Sequence, residues 1–267
     1  MKFLSRFYIA LIFLILYAPI LVVILFSFNR SGSLSQFSGF SFYWYRELFR
    51  DGEALKALKN SLILAVLSSL LATVLGTLCA FAIDRSKRKW FARSVETVTN
   101  IPMMNPEIVT GVSLMLLFAF VGRITSSPEA LGFGTMLIAH VTFSLPYVVL
   151  NVLPKLRQTD PHLAEAAQDL GSTPVQAFFR VVLPSIMPGI VSGALMAFTL
   201  SIDDFVISHY VSGSYVTLPL LIYSMTKKRV TPKMYAVCTC IFLSVLALLL
   251  IMNIMQIRQA KKNKKSV

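Results

Sequence analysis

Three carboxylates in otherwise apolar stretches are the residues of this chain whose chemistry stands out. Glu107 follows Pro106, and Asp203 and Asp204 are adjacent near the end of a long apolar segment. A carboxylate inside a bilayer is costly, so such residues usually face a bundle interior or a water-filled path. Taken singly, each has an ordinary structural explanation, such as solvation at a helix end or a hydrogen bond near a proline. The three together, in stretches whose interiors hold no Lys or Arg, indicate a path for a cation.

Aromatic rings are the second kind of group that could contact a cation. Tyr147 lies next to Pro146 in one apolar stretch, and Tyr223 lies in a later connection. A tyrosine ring face can attract an ammonium group, although packing or a place in the aromatic belt at the membrane boundary is the better explanation for each. We therefore carry Glu107, Asp203, Asp204, Tyr147 and Tyr223 forward as candidate path residues.

Catalytic chemistry is not indicated by this sequence. The three histidines and three cysteines show no metal-ligand spacing, and no nucleophile is paired with a base. The phosphate-binding pattern G-x-x-x-x-G-K-[ST] does not occur. We expect no catalytic site, no metal site and no cofactor bound by this chain itself.

Composition places the chain in a membrane. Of the 267 residues, 56% are hydrophobic, and the mean hydropathy is +0.71; both are far above the values of soluble domains. In a membrane protein, the net charge of +13 is interpreted through the Lys and Arg residues of the loops. Because no nucleic-acid-binding motif accompanies it, nucleic acid is excluded as a partner.

Six apolar stretches are long enough to cross a bilayer as helices. They cover residues 7–28, 61–83, 95–121, 132–153, 186–208 and 233–257, and Pro102 and Pro106 interrupt the third. The first is too long for a signal-peptide core and lacks a cleavage site. The prediction is an all-α, polytopic membrane protein with six transmembrane helices in a single domain, residues 1–267.

Helix length also predicts the depth of the carboxylates. Asp203 lies 20 residues after Leu183, which is roughly 30 Å along a helix and near the outer boundary. Glu107 lies about 21 Å along the third stretch from Arg93, so we expect it to be the deepest carboxylate.

The connection from residue 154 to residue 185 is too polar to cross a membrane. Asp160 and Pro161 are suited to begin a short helix, and Gly171 is suited to end it. Thr173 and Pro174 then supply a second start signal. The loop should hold two short helices that meet at Gly171, the first with a smooth, alanine-rich face.

Charge distribution predicts the orientation of the spans. With the N-terminus inside, the inner segments carry 15 Lys and Arg residues and the outer loops carry 10. The short connection from Asp84 to Arg93 alone holds five of them. Cytoplasmic loops are enriched in Lys and Arg, so both termini and the 154–185 loop should be cytoplasmic.

The spacing E-A-A-x3-G-x9-V-x-L-P resembles the EAA loop of permease subunits of bacterial ABC importers. It is formed by Glu165, Ala166, Ala167, Gly171, Leu183 and Pro184, with Val181 where the family usually has Ile. Five further stretches resemble the second permease subunit of spermidine/putrescine transporters: residues 19–29, 103–113, 140–146, 200–206 and 217–232.

The resemblance implies a type I importer with the MetI-like permease fold, located in the bacterial inner membrane. Its expected partners are a second, nonidentical permease subunit, two cytoplasmic ATPase subunits that bind ATP and Mg²⁺, and an extracytoplasmic binding protein. The EAA residues would couple the permease to the ATPase, and the substrate would be a polyamine.

Related subunits import iron(III), thiamine or phosphonate, so those substrates remain alternatives. Embedded Asp and Glu argue against an oxyanion, because an oxyanion importer should place basic groups or helix N-termini on its path. A channel or scaffold without energy coupling is the alternative of another class, and it would have no use for an ATPase-docking helix.

Overall fold

The computed structural model describes residues 2–31, 36–126, 131–160, 162–228 and 232–263. In these ranges the regular elements are helices, apart from one isolated bridge between Asn29 and Phe40. In chain order they are α1 (Lys2–Ser27), α2 (Tyr43–Arg50), α3 (Gly52–Arg85), α4 (Lys89–Met104), α5 (Glu107–Ile124), α6 (Phe133–Gln158), α7 (Leu163–Asp169), α8 (Pro174–Ala177), α9 (Leu183–Asp203), α10 (Val206–Val211), α11 (Leu218–Lys228) and α12 (Pro232–Asn263).

Helix length and hydropathy confirm a polytopic all-α membrane protein. Within the described ranges, five helical segments are long and apolar enough to cross a bilayer: Arg6–Ser27, Gly52–Arg85, Glu107–Ile124, Phe133–Gln158 and Pro174–Asp203. The beginning of α12, Pro232–Ala247, is a sixth and shorter apolar helix. These six segments correspond to the six stretches predicted from the sequence.

The predicted third span, residues 95–121, is two helices. α4 ends at Met104, and α5 begins at Glu107. The break falls at Asn105, whose φ of −80° and ψ of 140° are extended, because a following proline disfavours the helical conformation. Pro102, predicted to be a second break, lies inside α4. Glu107 is therefore the first residue of a helix rather than a residue within one.

The second span begins earlier than the predicted residue 61, because the Asp51 side chain caps the N-terminus of α3. Its Oδ1 accepts hydrogen bonds from the backbone N–H of Glu53 (2.9 Å) and of Ala54 (3.3 Å). The Lys233 ammonium also pairs with this carboxylate and lowers the pKa of Asp51. The first turns of α3 contain charged residues, so the apolar stretch read from the sequence begins later than the helix does.

The chain divides into two compact units, residues 1–57 with 221–267, and residues 58–220. In the first unit, both α1 and α2 contact α12. In the second unit, α6 contacts α4, α5, α9 and α10, with its longest contact along α9. The prediction of a single domain over residues 1–267 stays a prediction.

Glycines allow α6 to approach its neighbours closely. A Cβ atom at Gly189 would lie 2.8 Å from the backbone oxygen of Asn151, and one at Gly193 would lie 3.1 Å from the Cα of Val148. A Cβ atom at Gly76 of α3 would meet the Val148 side chain at 2.7 Å. Such close helix contacts through small residues are typical of membrane bundles. They set α6 and α9 antiparallel, side by side.

Candidate functional site

A break between α9 and α10 lies at the centre of the candidate site. α9 ends at Asp203, and α10 begins at Val206. Asp204 has an extended backbone, with φ −61° and ψ 121°. Its carboxylate accepts hydrogen bonds from the backbone N–H of Ile207 (3.3 Å) and of Ser208 (2.7 Å). The side chain thus satisfies N–H groups at the start of α10 that have no partner within the helix.

His140 of α6 is fully buried and joins the two sides of this break. Its Nδ1 lies 2.7 Å from the hydroxyl of Ser201, which is in the last turn of α9. Its Nε2 lies 3.0 Å from the hydroxyl of Ser208 on α10 and 3.4 Å from Oδ2 of Asp204. The Ser201 hydroxyl also lies 2.9 Å from that of Ser68 on α3. One buried polar network therefore links α3, α6, α9 and α10.

Sequence analysis gave His140 no role, and this network shows what it missed. A histidine inside an apolar span needs polar partners, because an unpaired polar group is costly there. That rule could have singled out His140. It could not have named the partners, since Ser68 and Ser201 are 133 positions apart in the chain.

Asp204 lies in a different environment from the one expected of a path residue. Its side chain is only 5% exposed, and it faces His140 and the start of α10. The carboxylate therefore already has partners within the chain. A role for Asp204 in the substrate path stays a prediction, and its contacts indicate a structural role.

Asp203 and Glu107 are both exposed. The charges of Glu107 and Asp204 are within electrostatic reach of Asp203. Glu107 begins α5, and one turn later Gly111 contacts α10, where an added Cβ would lie 2.9 Å from the ring of Tyr210. The packing of α5 on α10 thus brings the first residue of α5 towards the last residue of α9.

The level of Asp203 in the helix bundle follows from its neighbours. Ser201 and Asp204 both contact His140, so Asp203 lies at the level of His140. His140 is seven residues into α6, which is about 10 Å from the first residue of that helix. The predicted depths of Asp203 and Glu107 in the bilayer stay predictions.

Each of the two candidate tyrosines has a partner within its own helix. Tyr147 is half-buried in α6, and its backbone oxygen accepts a hydrogen bond from the Asn151 amide at 2.8 Å. Tyr223 is half-buried in α11, and the Lys227 ammonium lies 4.6 Å from its ring centroid. The face of Tyr223 is thus already occupied by a cation of this chain. Path roles for both tyrosines stay predictions.

The EAA segment forms one short helix, α7, which ends at Gly171 as predicted, whereas the second predicted helix is the beginning of the long helical segment Pro174–Asp203. α7 ends with the Gly171 N–H donating to the Gln168 oxygen (2.8 Å) and the Ser172 N–H donating to the Ala167 oxygen (3.0 Å). This pair of bonds is the Schellman motif, which needs a left-handed residue at its centre. Gly171 supplies it with a φ of +88°.

The start of α7 differs from the prediction. The helix begins at Leu163, with His162 before it, whereas the sequence indicated a start at Asp160 and Pro161. Asp160 instead accepts a hydrogen bond from the His162 N–H at 2.9 Å. Pro161 lies outside the described residues.

The second helix start, at Thr173, is confirmed. The Thr173 hydroxyl accepts the Gln176 N–H (3.3 Å), and the Gln176 side chain accepts the Thr173 N–H (3.1 Å), which is a capping box. The helix then continues through one π-helical turn, Phe178–Val182, into α9. Pro184 explains this turn, because it has no N–H and its ring would clash with the carbonyl four residues earlier. Leu183 and Pro184 therefore begin α9, whereas the sequence placed them in the loop before a fifth span that starts at residue 186.

α7 and the segment after it expose apolar side chains. The exposed fractions are 88% for Leu170, 65% for Val175 and 60% for Phe179. Ala166 is exposed and Ala167 is half-buried. An exposed apolar surface of this kind is typical of a protein interface.

Glu165 is also exposed, and its Oε2 lies 2.9 Å from Nδ1 of His162. This hydrogen bond raises the pKa of His162 above 6.5, and the negative charge of Glu165 adds to the effect. Glu165 therefore holds the first turn of α7 while remaining accessible to a partner.

Metal ligation has no candidate site in the part of the chain that the structure describes. No three His, Cys, Asp or Glu side chains converge there as ligands of a metal ion.

Comparison with known proteins identifies the family. The family of binding-protein-dependent transport system inner membrane components matches residues 72–265. The putrescine transport system permease protein PotI of Escherichia coli K12 is 40% identical over 230 residues, covering 86% of this chain and 82% of PotI. The spermidine/putrescine transport system permease protein PotC of Haemophilus influenzae is 39% identical over 247 residues, covering 92% of this chain and 93% of PotC.

Solved structures agree on the fold. A chain of a bacterial ABC transporter involved in the import of the acidic polysaccharide alginate superposes with a TM-score of 0.73 at 18% identity, covering 96% of this chain and 95% of that one. The MetI-like fold predicted from the sequence is therefore confirmed. The chain belongs to the family of binding-protein-dependent transport system inner membrane components: it is a multi-pass permease subunit of an ABC importer and not itself an enzyme.

Proposed function

We propose that this permease subunit imports polyamines, such as spermidine and putrescine, into the cytoplasm by alternating access. The observation that carries the proposal is the pair of exposed carboxylates, Asp203 and Glu107, which lie within electrostatic reach of each other where α9 ends. The names of the PotI and PotC relatives point to the same substrate class. A polyamine carries several ammonium groups, and acidic groups complement them.

The end of α9 adds a second attraction for a cation. The C-terminal end of a helix carries partial negative charge from carbonyl groups without a helical partner. Broken transmembrane helices present such ends to cations in transporters. Asp203 is the last residue of α9, so its carboxylate and the helix end act in the same place.

Passage requires that no single contact be too strong. A path must bind its substrate well enough to admit it and weakly enough to release it. Asp203 and Glu107 lie on two different helices, α9 and α5, so a flexible polyamine can contact them with different ammonium groups. Movement of one helix relative to the other then weakens the combined contact and frees the substrate.

The EAA segment couples this path to ATP hydrolysis. The exposed face with Leu170, Val175 and Phe179 docks on a cytoplasmic ATPase subunit, and Glu165 lies beside it. The Schellman joint at Gly171 fixes the angle between α7 and the helix that becomes α9. A displacement of α7 is thereby transmitted towards the break at Asp203.

The proposed assembly has a second, nonidentical permease subunit, two ATPase subunits that bind ATP and Mg²⁺, and an extracytoplasmic binding protein. This chain itself binds no cofactor. Both of its termini are cytoplasmic, because that orientation puts 15 of the 25 Lys and Arg residues on the inner side. The EAA segment then faces the cytoplasm, where docking requires it.

The test is transport by the complete complex in proteoliposomes. Labelled spermidine and putrescine should accumulate only when two conditions are met. ATP must be present on the side of the membrane that carries the ATPase subunits, and the cognate binding protein must be present on the other side. Iron(III), thiamine and phosphonate at the same concentration should not compete. Preferential uptake of one of these three would move the chain to another substrate class, and uptake without ATP would favour an uncoupled channel.

A further inference from the structure

We propose that His140 is a positioning residue, which joins the two sides of the α9–α10 break and thereby holds Asp203 facing the substrate path. The proposal rests on the proposed function in one respect only, the use of Asp203 by a cation. The geometry of the break carries the rest.

The first step is that His140 fixes the end of α9. Its Nδ1 lies 2.7 Å from the hydroxyl of Ser201, and Ser68 supports that hydroxyl from α3 at 2.9 Å. All three side chains are buried. Successive residues of an α-helix are about 100° apart around the axis. Asp203, two residues after Ser201, therefore points about 200° away, on the side of α9 opposite to α6.

The second step is that His140 also fixes the start of α10. Its Nε2 lies 3.0 Å from the Ser208 hydroxyl and 3.4 Å from Oδ2 of Asp204. The same Asp204 oxygen accepts the Ser208 N–H at 2.7 Å. Asp204 is thereby turned inward, in contrast to Asp203 beside it, which is exposed.

The third step is that His140 joins two elements whose ends are each locally determined. Asp203 follows the helical course of α9, and Asp204 accepts the Ile207 and Ser208 N–H groups at the start of α10. Irregular backbone at membrane depth is tolerated where protein groups satisfy it. His140 contacts Ser201 on one side of the break and Ser208 and Asp204 on the other, so it fixes how the end of α9 is oriented relative to α10 and with it the direction of Asp203.

The experiment measures the accessibility of position 203 without any substrate. Cys79, Cys238 and Cys240 are replaced by alanine, and Asp203→Cys is introduced into the assembled transporter. The probe is the trimethylammonium-ethyl methanethiosulfonate cation, which forms a mixed disulfide with an accessible thiol. Met104→Cys, at a position 85% exposed, serves as the matched control site.

His140→Ala should slow modification at position 203 at least fivefold and leave the rate at position 104 unchanged. His140→Asn retains an amide near the Nδ1 position and His140→Gln retains one near the Nε2 position, so each should keep part of the rate. Unchanged modification at position 203 in His140→Ala would overturn the proposal. An equal slowing at both sites would also overturn it, because it would indicate general loss of structure.

If His140→Ala does not assemble, Ser201→Ala and Ser208→Ala replace it, since each removes one contact. At least one should slow modification at position 203, and failure of both to do so contradicts the proposal. Failure of the proposed function has a different signature. Full polyamine uptake by Asp203→Asn would remove the path role and leave the His140-dependent accessibility intact.

Discussion

The Nε2 atom of His140 lies 3.4 Å from Oδ2 of Asp204, and the two side chains are 0% and 5% exposed. This pair lies where α9 ends and α10 begins. Of the two adjacent aspartates there, the Asp204 side chain is buried and Asp203 is exposed, and this difference leads to the first prediction.

Asp204→Asn should lower stability more than it lowers transport by each assembled molecule. The carboxylate accepts two backbone N–H groups and faces His140, and loss of a helix cap costs about 0.5–2 kcal/mol. We expect a lower melting temperature in detergent and lower membrane abundance. Asp203→Asn, at the exposed neighbouring position, is the control and should leave both unchanged. Equal melting temperatures for the two variants would contradict the assignment.

Gly171→Ala should uncouple ATP hydrolysis from substrate. Gly171 has a φ of +88° and an added Cβ would meet no atom within 4 Å, so the penalty is purely conformational, roughly 1–2 kcal/mol for a left-handed residue. The angle between α7 and the following helix should change. Stimulation of ATP hydrolysis by substrate-loaded binding protein should fall several-fold, with membrane abundance unchanged.

Gly134→Ala is the matched control, because an added Cβ there also meets nothing and the backbone is not left-handed. It should behave as the parent does. If Gly171→Ala also shows full stimulation, the joint at Gly171 does not transmit motion from the ATPase.

His162 should titrate above its usual pKa, and Glu165→Gln should bring the value down towards 6.5. Because the folded-state pKa is raised, the contact stabilises the first turn of α7 fully below pH 6.5 and is lost as the pH rises through the folded pKa. Histidine-selective NMR can follow this, since the chain has only three histidines. The same pKa in the parent and in Glu165→Gln would show that the contact does not form.

The proposed orientation can be tested with a reporter that is active only outside the cytoplasm. Ser126 lies in an exposed turn after α5 with a φ of 52°, so it should tolerate an insertion. A reporter inserted there should be active, and one fused after Val267 should be silent. The reverse pattern would contradict cytoplasmic termini and with them the docking role of α7.

Local signals in the sequence predicted a good part of the fold. Apolar length predicted the six spans, and the residue types at Thr173 and Gly171 predicted a helix start and a helix end that the structure confirms. These features depend on neighbours within one or two turns. Pro106 similarly predicted the break before α5. Pro102 predicted a second break that the structure does not show, because α4 continues through this proline.

Contacts between distant segments could not be predicted in this way. The inward turn of Asp204 depends on His140, and the position of Ser201 depends on Ser68, which is 133 residues earlier. Rise per residue measures distance along one helix, so it could not give the level at which the end of α9 packs against His140 of α6. Likewise, α5 packs on α10 where Gly111 meets Tyr210, about 100 positions later in the chain.

The most direct measurement of the central claim is ATP-dependent uptake of labelled spermidine by the complete transporter carrying Asp203→Asn and Glu107→Gln. The two substitutions keep size and remove both exposed charges near the break. Uptake should fall at least tenfold, with the abundance of the permease and basal ATP hydrolysis unchanged. Uptake at the level of the parent would show that these carboxylates are not the cation path.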